Sequence, residues 1–94
     1  MRYYVYLILT KFKNKYLSYV GYTKNLQKRI KDHNSSKGAK YTKGKKWILI
    51  YKKPYKTKSE ALKKEYVLKK NIKLRNFIKR SYINKNENID FTSL

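Results

Sequence analysis

The chain has 94 residues, of which 26 are Lys or Arg and 5 are Asp or Glu, for a net charge of +21. That length fits one small domain burying roughly 60–65% of its unfolded surface. With no cysteine and a single histidine, it excludes disulfides, thiolate metal sites and a His-rich zinc site.

Residues 3–10, YYVYLILT, are aromatic, aliphatic and β-branched without a breaker, and predict a buried strand. Tyr4, Tyr6 and Ile8 share one face of it, and Tyr3, Val5, Leu7 and Leu9 the other. KFKNKY, with Asn14 between lysines, suits a hairpin loop, and residues 17–22 return as a second strand with Tyr19 and Gly21 on one face. Thr23 or Asn25 can cap the helix that follows. Leu26, Ile30 and His33 mark its inward side, Arg29 borders that stripe, Lys28 and Asp32 face outward, and the helix ends near Asn34.

Residues 35–46, SSKGAKYTKGKK, read as a mobile basic loop whose N–H groups beside Gly38 and Gly44 can approach phosphates. The G-K-[ST] signature of a nucleotide-binding loop is absent. WILIY, 47–51, predicts a third strand ending toward Pro54. Thr57-Lys-Ser-Glu60 has the capping-box pattern, opening a helix from about Ser59 to Lys70 with Ala61, Glu65, Leu68 and Ile72 inward. A last helix, roughly 75–83, places Phe77, Ile78 and Tyr82 on one side. Residues 1–83 thus form one domain, and 84–94 a polar tail in which Phe91 and Leu94 can dock.

The charge excess favours a polyanionic partner. Lysines are spread through every segment, which disfavours a membrane surface, and no apolar run is long enough to span one. No signal-peptide pattern precedes the first strand, so a cytoplasmic protein is expected. Outside the tail the acids are Asp32, Glu60 and Glu65, and only Glu65 lacks a structural role. A carboxylate on an inward face needs a partner, either a divalent cation or an ion pair with Arg29 or a lysine. Mg²⁺ suits a single-carboxylate site, because it keeps most of its waters. With 11 tyrosines, most serve packing or the surface, but the gap at Gly21 singles out Tyr19. His33 taken alone is a helix-end histidine, favourable when charged. The Arg29 fork can hold a phosphate bidentately.

Y-V-Y at 4–6, Y-V-G at 19–21, T-x-N-L-x-x-R-x-x-x-H from Thr23 to His33, and A-L-x-x-E from Ala61 to Glu65 occur in that order. Together they resemble the GIY-YIG nuclease superfamily over about residues 3–80, most closely its short stand-alone bacterial members, which carry a G-A-K-Y-T loop like Gly38 to Thr42. The glycine of the first motif is Tyr4 here. The resemblance implies an α+β fold, a small three-stranded antiparallel sheet flanked by helices in the order β-β-α-β-α-α. It implies hydrolysis of DNA, duplex or branched, with Mg²⁺ or Mn²⁺. It assigns Tyr6, Tyr19, Arg29, His33 and Glu65 to catalysis, with Glu65 also the metal ligand. Tyr19 would activate water with its pKa lowered by the positive surroundings, Tyr6 or His33 would relay the proton, and Arg29 would stabilise the transition state. Lys37, Lys40, Lys43, Lys45 and Lys46 are the expected nucleic-acid contacts. A non-catalytic binding module, with Tyr22, Tyr41 or Trp47 stacking on bases, is the competing expectation. A partner-binding subunit that borrows the fold is a third.

Overall fold

In the computed structural model, which describes residues 2–86, the breaker-free run becomes the middle strand of a three-stranded antiparallel sheet. The elements are β1 (Tyr3–Phe12), β2 (Lys15–Thr23), α1 (Leu26–Asn34), a 3₁₀ turn (Lys40–Thr42), β3 (Ile48–Tyr55), α2 (Lys58–Lys70) and α3 (Ile72–Lys85), with strand order β2-β1-β3. The α+β architecture and element order expected from the sequence are therefore those of the protein. The tail residues Glu87, Asp90, Phe91 and Leu94 lie outside the described residues, and α3 takes up positions 84 and 85.

Lys13 and Asn14 turn the β1–β2 hairpin with φ of 51° and 64°, the left-handed conformation that Asn tolerates best among residues with a Cβ. The register pairs Tyr6 with Gly21 and Ile8 with Tyr19, so these four share one face of the sheet. On that face Tyr6, Ile8 and Trp47 are buried, packed by Leu17, Tyr19, Leu26, Ile30 and Leu49. On the opposite face Val5, Leu7 and Val20 meet Ala61 and Leu68 of α2, with Ile78 of α3 against them. β1 is consequently buried from both sides between Val5 and Thr10. A bulge between Leu7 and Ile8 leaves Ile50 unpaired on β3, and Ile50 and Tyr51 both pack on the α2–α3 side.

Helix boundaries follow their caps. The Asn25 side chain accepts from Lys28 N at 3.1 Å, and the Thr57 side chain from Glu60 N at 3.1 Å. Asn71 ends α2 and caps α3, accepting from Leu74 N at 3.0 Å. The Arg75 guanidinium crosses back to the carbonyls of Leu68 and Lys69, fixing the corner between the two helices. Two expectations change here. Ile72 is not on the inward stripe of α2 but opens α3 and is 61% exposed, because the axis turns at Asn71. Phe77 is 61% exposed as well, and Ile78 carries the contact to the sheet.

Leu7→Ala removes a wholly buried side chain from the middle strand and should destabilise the fold by about 2–5 kcal/mol. Phe77→Ala should stay within about 0.5 kcal/mol of the parent. Urea unfolding of both variants checks the contrast.

Candidate active site

The pairing of Tyr6 with Gly21 explains how a phenol fits on the central strand. A Cβ at position 21 would lie 2.3 Å from the Tyr6 hydroxyl oxygen, so the tyrosine lies over its cross-strand partner only because that partner is glycine. From there the hydroxyl meets His33 Nε2 at 2.7 Å. His33 reaches this point because Asn25 fixes the start of α1, and the helical period carries position 33 to the face of Leu26 and Ile30. The Tyr19 ring stands edge-on to His33, with centroids 5.2 Å apart and planes at 60°. The positive charge of Arg29, one turn before His33, acts on the Tyr6 phenol.

His33 is wholly buried, and both ring nitrogens are occupied. Its Nδ1 lies 2.9 Å from Thr42 Oγ1, a second contact that closes the site from the loop. Burial, assisted by the positive charge of Arg29 against the weaker pull of Asp32, lowers its pKa to about 4. His33 is thus a neutral imidazole and not the charged helix-end residue that its position suggested. Burial likewise pushes the Tyr6 phenol up to about 12. Arg29 pulls it down, while the charges of Tyr19 and Glu65 add to the rise. For Tyr6, desolvation of a phenolate outweighs the pull of the positive charge nearby.

Glu65 is on the sheet-facing stripe of α2, between Ala61 and Leu68, as the spacing predicted. That helix covers the face of the sheet opposite Tyr6 and Tyr19. The carboxylate nevertheless acts on the Tyr6 phenol through its charge, and its partner is Lys69 at 3.7 Å, with the Glu65 side chain 15% exposed. Along the β2 edge, a cleft of about 240 Å³ is lined by Ser18, Tyr19, Val20, Lys69 and Arg75. Three of the five expected catalytic side chains, Tyr6, Tyr19 and Arg29, therefore lie around the imidazole of a fourth, His33, and Glu65 acts from the other layer.

The loop between α1 and β3 is pinned, contrary to expectation. Trp47 is wholly buried and precedes β3; its Nε1–H donates to Thr42 O at 3.1 Å. Asn34 clamps Trp47 from both sides, accepting from its N–H at 2.5 Å and donating to its carbonyl at 2.9 Å. Gly38 packs on the imidazole, where a Cβ would sit 2.4 Å from Nδ1, and the Gly44 N–H donates to Ser36 Oγ at 3.1 Å. In the structure these two glycines serve packing and loop closure. Among the expected lysine contacts, Lys46 Nζ donates to Asn34 O and Lys45 Nζ to Tyr41 O, whereas Lys37, Lys40 and Lys43 are exposed. Lys45 Nζ lies 5.0 Å from the centroid of the Phe12 ring and 5.5 Å from that of Tyr41, and Tyr41 stacks on Tyr19 at 6.2 Å. Of the three rings expected to stack on bases, Tyr41 is 48% exposed, Trp47 is wholly buried, and Tyr22 packs on the α2–α3 side. Sequence reading missed Thr42, Asn34 and the packing role of Gly38, since their partners lie 5 to 13 residues away across a loop without periodicity.

Residues 2–79 match the family of GIY-YIG catalytic domains. The chain is similar to a UPF0213 protein of Staphylococcus saprophyticus, 48% identical over 65 residues that cover 68% of this chain and 78% of that one. A UPF0213 protein of Staphylococcus haemolyticus is 45% identical over 69 residues, covering 72% and 80% respectively. The solution NMR structure of a UPF0213 protein from Bacillus halodurans is 36% identical, with a TM-score of 0.45 and 84% of each chain covered.

Two predictions follow from the buried imidazole. A histidine whose pKa falls from 6.5 to about 4 on folding binds its proton more readily when unfolded, so its contribution is complete above pH 6.5 and is lost as pH falls toward 4. Urea unfolding should register a loss of about 3 kcal/mol across that window, absent in His33→Asn. Gly38→Ala should destabilise by about 1–3 kcal/mol, read by thermal unfolding, because the ring it meets is held at both nitrogens.

Proposed function

This chain belongs to the GIY-YIG catalytic domain family, and from that premise we propose that it is a divalent-metal-dependent endonuclease hydrolysing DNA phosphodiesters. The observation that carries the reading is the convergence of Tyr6, Tyr19 and Arg29 on His33 beside an open cleft. Arg29 binds a phosphate oxygen and stabilises the charge that develops on it in the transition state. Tyr19, half-buried at the cleft, orients the attacking water for in-line displacement. Tyr6 holds its proton at rest, and its hydroxyl and the neutral imidazole supply adjoining sites through which a proton can be passed.

Glu65 is the residue to hold the cation. Among the described residues, no three His, Asp or Glu side chains converge on a common point, so the donor set is not that of a closed cage. A single hard carboxylate, paired only loosely with Lys69 at 3.7 Å, fits Mg²⁺ or Mn²⁺, which retain waters and take further oxygens from substrate phosphate. Bound there, such a cation supplies neutralisation of the phosphate and stabilisation of the leaving oxygen. The +21 charge and the exposed Lys37, Lys40 and Lys43 draw in the polyanion.

One observation favours the non-catalytic alternative. The exposed rings of Phe12 and Tyr41 with Lys45 between them form a base-and-phosphate surface that needs no hydrolysis. Incubation of supercoiled, branched and single-stranded DNA with Mg²⁺ or Mn²⁺ separates the two. Nicking by the parent protein, reduced roughly 100-fold or more in Tyr19→Phe and Glu65→Gln with gel-shift binding retained, is the expected result. No cleavage of any of the three substrates overturns the enzyme reading, and undiminished cleavage by Glu65→Gln overturns the metal role.

A further inference from the structure

We propose that Thr42 is a positioning residue that fixes the tautomer of His33 and thereby the direction of the Tyr6–His33 hydrogen bond. The Thr42 hydroxyl lies 2.9 Å from the carbonyl of Ala39 and 2.9 Å from His33 Nδ1. A carbonyl only accepts, so the single hydroxyl proton goes to Ala39 and Oγ1 is left as an acceptor. Nδ1 must then carry a hydrogen to donate to it. In the neutral ring Nε2 is bare, and at 2.7 Å it accepts the proton of the Tyr6 hydroxyl.

Arg29 points to the same direction independently. A guanidinium is a cation with donors and no acceptor, so its charge favours a Tyr6 hydroxyl that turns its lone pairs, and not its proton, toward Arg29. With Tyr6 donating to His33, both neighbours are satisfied. With the opposite tautomer, Nε2–H would point at the phenol oxygen, and the buried Tyr6 hydroxyl would lose the imidazole as an acceptor for its proton. Thr42 is suited to impose the choice. It is wholly buried, its N–H donates to Ala39 O at 3.1 Å, and its carbonyl takes the Trp47 Nε1–H at 3.1 Å. The loop thus presents a fixed acceptor to Nδ1, and Tyr6 presents its lone pairs, not its proton, to Arg29 and the phosphate. Only the effect on cleavage rests on the hydrolytic reading; the tautomer stands apart from it.

The chain has one histidine, so its two imidazole nitrogens can be read by long-range ¹H–¹⁵N correlation on the full-length protein without assignment. The expected parent spectrum, near pH 7.5, has a protonated Nδ1 and a bare Nε2. Thr42→Val keeps the shape and removes the acceptor, leaving a buried N–H unpaired; the ring should shift wholly or partly to the Nε2–H form. Thr42→Ser should restore the parent spectrum. In parallel, nicking of supercoiled plasmid with Mg²⁺ should fall roughly 100-fold in Thr42→Val and return in Thr42→Ser. A parent spectrum with Nε2 protonated overturns the proposal, even if Thr42→Val does not fold. So does a folded Thr42→Val with the parent's tautomer, or one with the tautomer changed and cleavage intact. A parent protein that cleaves no DNA overturns the hydrolytic reading while the spectra still decide the tautomer.

Discussion

The hydrogen bond between Tyr6 and His33 joins the middle strand to the end of α1 in a place where water does not reach. A buried polar atom left without a partner costs about 1–3 kcal/mol, so each group in the chain from Tyr6 through His33 and Thr42 to the Ala39 carbonyl constrains the next. Among the described residues no buried side-chain nitrogen or oxygen lacks a partner, and this chain accounts for the most deeply placed of them. The constraint propagates outward. Gly21 must be bare for the phenol, Gly38 must be bare for the imidazole, and the loop must close so that Thr42 arrives. The clamp of Asn34 on Trp47 performs that closure.

Electrostatics within the site run against the field of the whole protein. A net charge of +21 would draw protons off a phenol, yet desolvation raises Tyr6 and lowers His33, and both are neutral near pH 7. The guanidinium of Arg29 is then the fixed positive charge at the phenol, with the Glu65 carboxylate acting from the second layer. Being neutral, neither the phenol nor the imidazole offsets the charge of Arg29. The charges of the exposed lysines are screened by salt more than those of the buried site.

What could be read in the sequence was what depends on local chemistry or period. The β1–β2 hairpin follows from alternation broken at Asn14, α1 from its cap at Asn25 and its inward stripe, and the start of α2 from the Thr57–Glu60 box. Strand and helix periods bring Tyr19, Arg29 and His33 to one junction, whereas Tyr6 joined them through the resemblance, because strand register cannot be read from period alone. The path of residues 35–46 was not legible: its anchors are single long-range bonds, and its lysines and glycines have the composition of an open loop. Ile72 and Phe77 misled because the helical pattern runs on through Asn71 in sequence while the axis changes direction. The inward position of Glu65 was legible, but not the layer from which it approaches.

The two rims of the sheet differ in what they can accept. On β3, Pro54 offers no N–H, and the exposed Lys52 and Lys53 repel a like-charged neighbour, so that side is blunted against a further strand. The opposite rim is β2, where Ser18, Tyr19 and Val20 border the cleft. Any extended backbone that docks on this sheet by strand addition is thereby directed to the Tyr19 side, along the strip of main chain that borders the cleft.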